Sequence, residues 1–137
     1  GKIATEYASL MKDLWAPQPP PSTAPREFKW SLSQCKPMFA GYAQHDAQEL
    51  MSTLVDTLDE DLNRVTKKPY VERKDSLGRP DAVVAAENLA GHRSRNQSVL
   101  QDLMAGQYKS TVVCDACGFS NTSFDVYLLL NLHMRGT

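Results

Sequence analysis

A chain of 137 residues, of which 42% are hydrophobic, can bury one modest core, so it predicts one domain or a piece of a larger one. Its 15 basic and 16 acidic side chains give a formal charge of -1, which argues against nucleic acid or a membrane surface as the dominant partner. The sequence has no run of about eighteen apolar residues and no apolar amino-terminal segment, so it predicts neither a membrane span nor a secretory signal and favours a cytoplasmic and/or nuclear location.

The first predicted element is a helix from about Lys2 to Trp15, because apolar residues recur there at helical spacing on one face. Five prolines between Pro17 and Pro25 then exclude regular structure and predict an extended loop over residues 16–26 with the stiffness of polyproline II. A surface connector is the favoured interpretation of this loop. A proline-rich recognition motif for small adaptor domains is the alternative.

Two patterns of the capping-box type predict the next helix starts. The segment Ser31–Gln34 predicts a short helix that Pro37 must end, because proline disfavours helix at the residue before it. Asp46, followed three residues later by Glu49, predicts the start of a longer helix that runs to about Val65. The side chains predicted to be buried on this helix are Leu50, Met51, Leu54, Val55, Leu58, Leu62 and Val65.

A polar loop is predicted from Thr66 to Asp81, with a short strand possible at Tyr70–Lys74. An alanine-rich helix follows over residues 82–96, and Ser98 is expected to cap a helical turn that ends near Gly106.

Two predicted strands, residues 107–113 and 119–132, flank a C-x-x-C-G turn. Such a turn directs the thiolates of Cys114 and Cys117 at one ion, and Gly118 gives the backbone freedom after the second ligand. A structural zinc needs four ligands, so the sequence predicts half a site whose second pair lies beyond residue 137. A redox C-x-x-C and plain surface cysteines are the alternatives.

Cys35, His45 and Asp46 are the residue types of a cysteine-protease nucleophile, base and orienting acid. The favoured interpretation is instead a buried or half-buried inert thiol at Cys35 and a loop histidine at His45.

Asp46 and Glu49 stay ionised at a helix amino terminus, where they suit bidentate arginine recognition. Helix capping alone is the other interpretation of this pair, and spacing by itself favours it.

The stretch Gly41–Leu50, followed by Asp59–Asn63, resembles the Q-Q-D-x-x-E box and subsequent helix of ubiquitin-specific proteases. His45 stands where the commonest pattern has its second glutamine. The stretches that resemble later parts of the family in the same order are Lys68–Glu72, Gly78–Asp81 and Tyr108–Thr111 with the two cysteines of the turn. The similarity extends from about Phe28 onward and is strongest toward the subgroup whose catalytic domain is split by an insertion.

The resemblance implies an α+β fragment of a papain-like thumb, palm and fingers domain. Residues 1–105 would be mainly helical thumb, and residues 106–137 would begin the zinc-binding fingers. The implied reaction is thiol-catalysed cleavage after the terminal glycine of ubiquitin, with ubiquitin and ubiquitinated proteins as partners. The residues implied to hold the basic ubiquitin tail are Asp46 and Glu49, with Gln44 and Gln48 as supporting contacts, and Cys114 and Cys117 would supply half of a structural zinc site.

The cysteine box and the histidine box of the family do not occur in these residues, and neither Cys35 nor His133 lies in such a context. We therefore expect a fragment of a deubiquitinase that contains no catalytic residue and is inactive by itself. The alternative expectation is a catalytically inactive ubiquitin-binding or scaffold module.

Overall fold

A computed structural model describes residues 1–132, and His133 lies outside them. The chain forms two compact units, Gly1–Leu62 and the residues from Asn63 onward. Five α-helices precede one antiparallel β-hairpin, which confirms the predicted α+β class. Among the described residues, no helix is long and apolar enough to cross a membrane.

The first unit contains three α-helices and one short 3₁₀ turn. They are α1 (Lys2–Leu14), α2 (Arg26–Cys35), the 3₁₀ turn (Pro37–Phe39) and α3 (Ala47–Asp61). Helix α1 packs against both α2 and α3. The predicted first helix and the irregular proline-rich loop after it are both confirmed. The buried apolar side chains of this unit are Ile3, Leu32, Phe39, Val55 and Leu58.

The N-cap of helix α2 lies at Pro25, six residues before the predicted Ser31. The amide of Lys29 donates to the carbonyl of Pro25 at 2.8 Å, and Pro25 is the N-cap residue. Ser31 therefore lies inside the helix, is 1% exposed and caps nothing, so the prediction of a capping box there was wrong. The physical reason is tertiary, because the Phe28 ring packs beside Tyr7 of α1 at a centroid distance of 6.0 Å.

Helix α3 begins as predicted but ends at Asp61, four residues before the predicted Val65. Of its seven predicted core side chains, Val55 and Leu58 are buried, whereas Leu50, Met51 and Leu62 are exposed. Helix α1 is the principal partner of α3 in this unit, so it covers only a narrow part of the apolar stripe.

The second unit contains two α-helices and the β-hairpin. They are α4 (Asp81–Arg93), α5 (Val99–Met104), β1 (Gly106–Val113) and β2 (Ser120–Tyr127). The strands pair in register from Gly106 opposite Tyr127 to Val113 opposite Ser120, and α4 packs on β2. Both predicted helices and both predicted strands are confirmed with shifted ends. The Ser98 cap is also confirmed, because its Oγ accepts from the Gln101 amide at 3.1 Å.

The predicted short strand at Tyr70–Lys74 is wrong, because this segment has no strand structure. Side chains occupy the edge of β2 in place of a strand. The hydroxyl of Ser76 accepts from the Thr122 amide at 2.9 Å, and the Ser76 amide donates to the Asn121 side chain at 2.8 Å. An ion pair between Arg73 and Asp125 at 2.7 Å adds to these contacts. A backbone ladder is not needed where side chains satisfy the edge groups.

Asn63 begins the second unit, and its side chain makes three hydrogen bonds, two of which join this start to the residues after α4. Its Oδ1 accepts from the amides of Val65 and Gln97 at 3.0 Å each, and its Nδ2 donates to the Arg95 carbonyl at 3.0 Å. We expect Asn63→Ala to lower the free energy of unfolding by about 2–3 kcal/mol, because the Val65 amide and the Arg95 carbonyl lose their partly buried hydrogen bonds and the Gln97 amide loses an exposed one. Urea denaturation followed by circular dichroism measures this change.

Asn88→Ala is the matched control for this prediction. Asn88 is half-buried, and its side chain has no hydrogen bond to any residue from 1 to 132. Its removal is expected to change stability by less than about 0.5 kcal/mol. Equal effects of the two substitutions would contradict the role given to Asn63.

Candidate functional site

The loop before α3 is fixed at its start by a buried ring and a glycine turn. Phe39 is 6% exposed and ends the 3₁₀ turn, and Ala40 is extended. Gly41 then adopts a φ of +76°, in the left-handed region that favours glycine. This turn directs the chain from the core into the exposed segment that leads to Asp46.

Lys29 of α2 holds the same loop from the other side. Its ammonium donates to the Gly41 carbonyl at 2.6 Å and lies 4.7 Å from the centre of the Tyr42 ring. The Tyr42 side chain is 99% exposed, and the cation–π contact with Lys29 is the interaction that its ring makes. Sequence reasoning missed Lys29, because a lysine twelve residues before the loop gives no signal of this contact.

Asp46 is the N-cap residue of α3, as predicted. Its Oδ1 accepts from the amides of Gln48 and Glu49 at 2.8 and 3.0 Å, and its backbone is extended. These bonds satisfy two of the amides that a helix leaves open at its amino terminus. The capping interpretation of Asp46 is therefore confirmed, and no second role follows from these bonds alone.

Glu49 does not complete the capping box. Its carboxylate has no hydrogen bond and no ion pair with any residue in the described part of the chain, although it lies in the first turn of α3. The side chains of Gln44 and Gln48 are likewise exposed and unbonded among residues 1–132. Asp46 and Glu49, three residues apart, share one end of the helix. The four predicted tail-binding residues therefore lie together on one exposed junction.

The structure does not bring Cys35, His45 and Asp46 together as a cysteine-protease nucleophile, base and orienting acid would require. His45 packs edge-on against Phe39 with a centroid distance of 5.1 Å and an interplanar angle of 67°. Among the described residues, no hydrogen bond joins His45 to Cys35 or to Asp46. Cys35 is exposed at the end of α2, so the expectation of a buried or half-buried thiol was wrong.

Cys114 and Cys117 lie in the turn that joins β1 to β2. The Cys114 amide donates to the Phe119 carbonyl, and the Gly118 amide donates to the Cys114 carbonyl, both at 2.8 Å. Gly118 has a φ of +69°, the left-handed conformation expected after the second cysteine. Both thiols are free and exposed at the tip of the hairpin.

The turn also favours the thiolate form of one cysteine. Hydrogen bonds from the amide and the thiol of Cys117, and then from the Ala116 amide, hold the pKa of the Cys114 thiol below its usual value. Thiolate is the form that binds zinc, so the donor chemistry of this pair fits that metal. Within residues 1–132, no group of three or more metal-binding side chains comes together, at this turn or elsewhere.

Comparison with known proteins matches residues 1–131 to the family described as "Ubiquitin carboxyl-terminal hydrolase". The chain is 47% identical to "Ubiquitin carboxyl-terminal hydrolase 9" and 49% identical to "Ubiquitin carboxyl-terminal hydrolase 8", both of Arabidopsis thaliana, over 100% of the chain. It is 49% identical over 132 residues to "Ubiquitin carboxyl-terminal hydrolase 4" of Bos taurus, which covers 96% of the chain. The matched regions are 15%, 16% and 14% of these relatives, so the chain spans only a small part of their length.

Proposed function

The chain belongs to the ubiquitin carboxyl-terminal hydrolase family, and we propose that it is part of a thiol-dependent deubiquitinase that cleaves after the terminal glycine of ubiquitin. The proposed role of this segment is to bind the basic tail of ubiquitin and to supply half of a structural zinc site. The nucleophile and its base would come from outside these 137 residues. Ubiquitin and ubiquitinated proteins are the proposed partners.

The observation that carries the proposal is the unpaired acidic end of α3. Asp46 uses one carboxylate oxygen to cap the helix, and Glu49 keeps its whole carboxylate exposed. Carboxylates on a rigid helix end are suited to bidentate bonds from arginine, and the fixed geometry lowers the entropy lost on binding. Gln44 and Gln48 add neutral donors and acceptors beside them. The proposed ligand of this surface is the extended basic tail of ubiquitin, whose charge is opposite to that of the two carboxylates.

Lys29 acts in this proposal as a positioning residue. Its ammonium binds the Gly41 carbonyl and the face of Tyr42, so its charge is directed at the loop and helps to fix the approach to Asp46. The ring of His45 against Phe39 fixes the same loop one residue before the cap. Together these contacts restrict the conformations in which the acidic pair meets a ligand.

Zinc is proposed as the metal of the hairpin turn, with Cys114 and Cys117 as two of its ligands. The lowered pKa of Cys114 and the left-handed Gly118 support this assignment. A second pair of ligands would come from residues outside the chain. The bound ion would have a structural role, since it would tie the end of the hairpin to that second segment.

A chimeric enzyme tests the function. The 132 matching residues of the bovine relative are replaced by the corresponding residues of this chain, and cleavage of ubiquitin carrying a fluorogenic carboxyl-terminal group is followed. We expect the chimera to retain kcat/KM within about tenfold of the bovine enzyme. The 137-residue chain alone is expected to give no turnover but to shift the tail resonances of ¹⁵N-labelled ubiquitin.

The outcomes separate the alternatives. A folded chimera with no turnover, together with ubiquitin shifts caused by the isolated chain, would favour a catalytically inactive binding module. A folded chimera without turnover and without such shifts would contradict the proposed function. Turnover by the isolated chain would contradict its proposed inactivity.

A further inference from the structure

The segment Ala16–Ser22 between α1 and α2 has no structural partner among the described residues. It contains four of the eight prolines of the chain, and its prolines are all exposed. No backbone amide or carbonyl of this segment takes part in a hydrogen bond with residues 1–132. Trp15, immediately before it, is 83% exposed. The exposed prolines and the exposed Trp15 together are open to contact with a partner.

Both ends of this segment are anchored. The Trp15 amide donates to the Met11 carbonyl at 3.0 Å and closes the end of α1. At the other end, the Arg26 amide donates to the Ala24 carbonyl at 2.9 Å, and Thr23 is partly buried in a cleft that also includes Leu10 of α1. The prolines between these two ends are all exposed.

The exposed proline segment is followed by Arg26, whose positive charge is not neutralised within the first unit. Arg26 is the first residue of α2, where a cation is opposed by the partial positive charge of the helix end. It is exposed, and no carboxylate of residues 1–132 lies within ion-pair distance of its guanidinium. Glu27 is adjacent in the sequence, and neighbours at this spacing do not face each other on a helix. Arg26 is thus available to an external carboxylate.

We propose that residues 16–26 form a docking site for an SH3-type domain, with the prolines in its aromatic-lined groove and Arg26 against acidic side chains on its rim. Pro17 and Pro20, three residues apart, give the P-x-x-P spacing that places both rings on one face of a polyproline II helix. The fixed φ of proline lowers the entropy lost on binding. This surface is a feature additional to the proposed ubiquitin site and does not depend on it.

The free segment bends at residues 16–18 and again at Pro21, so it is not one straight polyproline II helix before binding. Because no backbone hydrogen bond of the described residues holds these bends, the segment can straighten in a groove. Its unpaired carbonyl groups are then open to the tryptophan and tyrosine donors that such grooves contain. The charge of Arg26 favours a groove with an acidic rim over the neutral grooves of other proline-recognition domains.

A panel experiment tests the docking site on the full 137-residue chain. Purified SH3, WW and EVH1 domains are titrated against the fluorescently labelled chain, and binding is followed by polarisation. We expect at least one SH3 domain with an acidic rim to bind. The variant with Pro17→Ala, Pro19→Ala and Pro20→Ala is expected to lose at least about tenfold in affinity, and Arg26→Glu is expected to lose affinity and its salt dependence.

Pro69→Ala is the matched control, since Pro69 is exposed, lies outside the segment and accepts from Arg95 only through its backbone carbonyl. It should bind as the original chain does, and circular dichroism should give the same helix content for all variants. Failure of every SH3 domain in the panel to bind would overturn the proposal. Unchanged binding in the triple variant would also overturn it, and binding by WW or EVH1 domains alone would overturn the assignment to an acidic-rimmed groove.

Discussion

Asp46→Asn and Glu49→Gln should each weaken the interaction with the ubiquitin tail by about tenfold to a hundredfold. Each substitution removes one negative charge and keeps the size of the side chain. A hydrogen bond to a charged group contributes about 1.5–3 kcal/mol, which corresponds to this range. The measurements are kcat/KM of the chimeric enzyme with fluorogenic ubiquitin and titration of ¹⁵N-labelled ubiquitin with the isolated chain.

The asparagine variant separates the two roles of Asp46. Asparagine caps helices about as well as aspartate, so the bonds to the amides of Gln48 and Glu49 should persist and stability should change little. Asp46→Ala removes the cap as well and is expected to lower the free energy of unfolding by a further ~1 kcal/mol. A loss of binding without a loss of stability in Asp46→Asn would therefore isolate the contribution of the charge.

Asp56→Asn is the control for this pair, because Asp56 is an exposed carboxylate on the same helix, two turns or more from the capped end. It should leave both turnover and ubiquitin shifts unchanged. If Asp46→Asn and Glu49→Gln bind ubiquitin as tightly as the unmodified chain does, the acidic pair serves only the helix. The tail-binding assignment would then be wrong even if the chimeric enzyme is active.

Substitution of the hairpin cysteines is expected to have the largest effect on stability. In the chimeric enzyme, Cys114→Ser or Cys117→Ser should release bound zinc and lower the free energy of unfolding by several kcal/mol, because structural zinc binding contributes directly to folding. Zinc content by elemental analysis and thermal denaturation with and without a chelator measure the two effects. The chelator should destabilise the unmodified chimera and leave the serine variants unaffected.

Cys35→Ser is the matched control, since Cys35 is also an exposed free thiol but lies at the end of α2 in the other unit. It should keep the zinc content and the melting temperature of the chimera. Full zinc occupancy in both hairpin variants would contradict the assignment of this turn as half of the metal site.

Much of the local structure follows from the sequence alone. The Asp46 cap, the Ser98 cap and the two strands on either side of the C-x-x-C-G turn are confirmed, because each depends on contacts between residues close in the chain. The prediction failed at Ser31, where the same kind of pattern lies inside a helix. Packing of α2 on α1 there determines the helix start, and no local rule contains that contact.

For the candidate site residues, too, local spacing determined some features and tertiary contacts determined others. The sequence determined by itself that Asp46 and Glu49 stand at a helix start and that Cys114 and Cys117 share a hairpin turn, since both arrangements are set by spacing within a few residues. Only the tertiary structure decided that Lys29 holds the loop before Asp46, because this contact joins residues twelve positions apart on different elements. It also decided which apolar positions of α3 are covered, since burial depends on the neighbouring helix and not on periodicity.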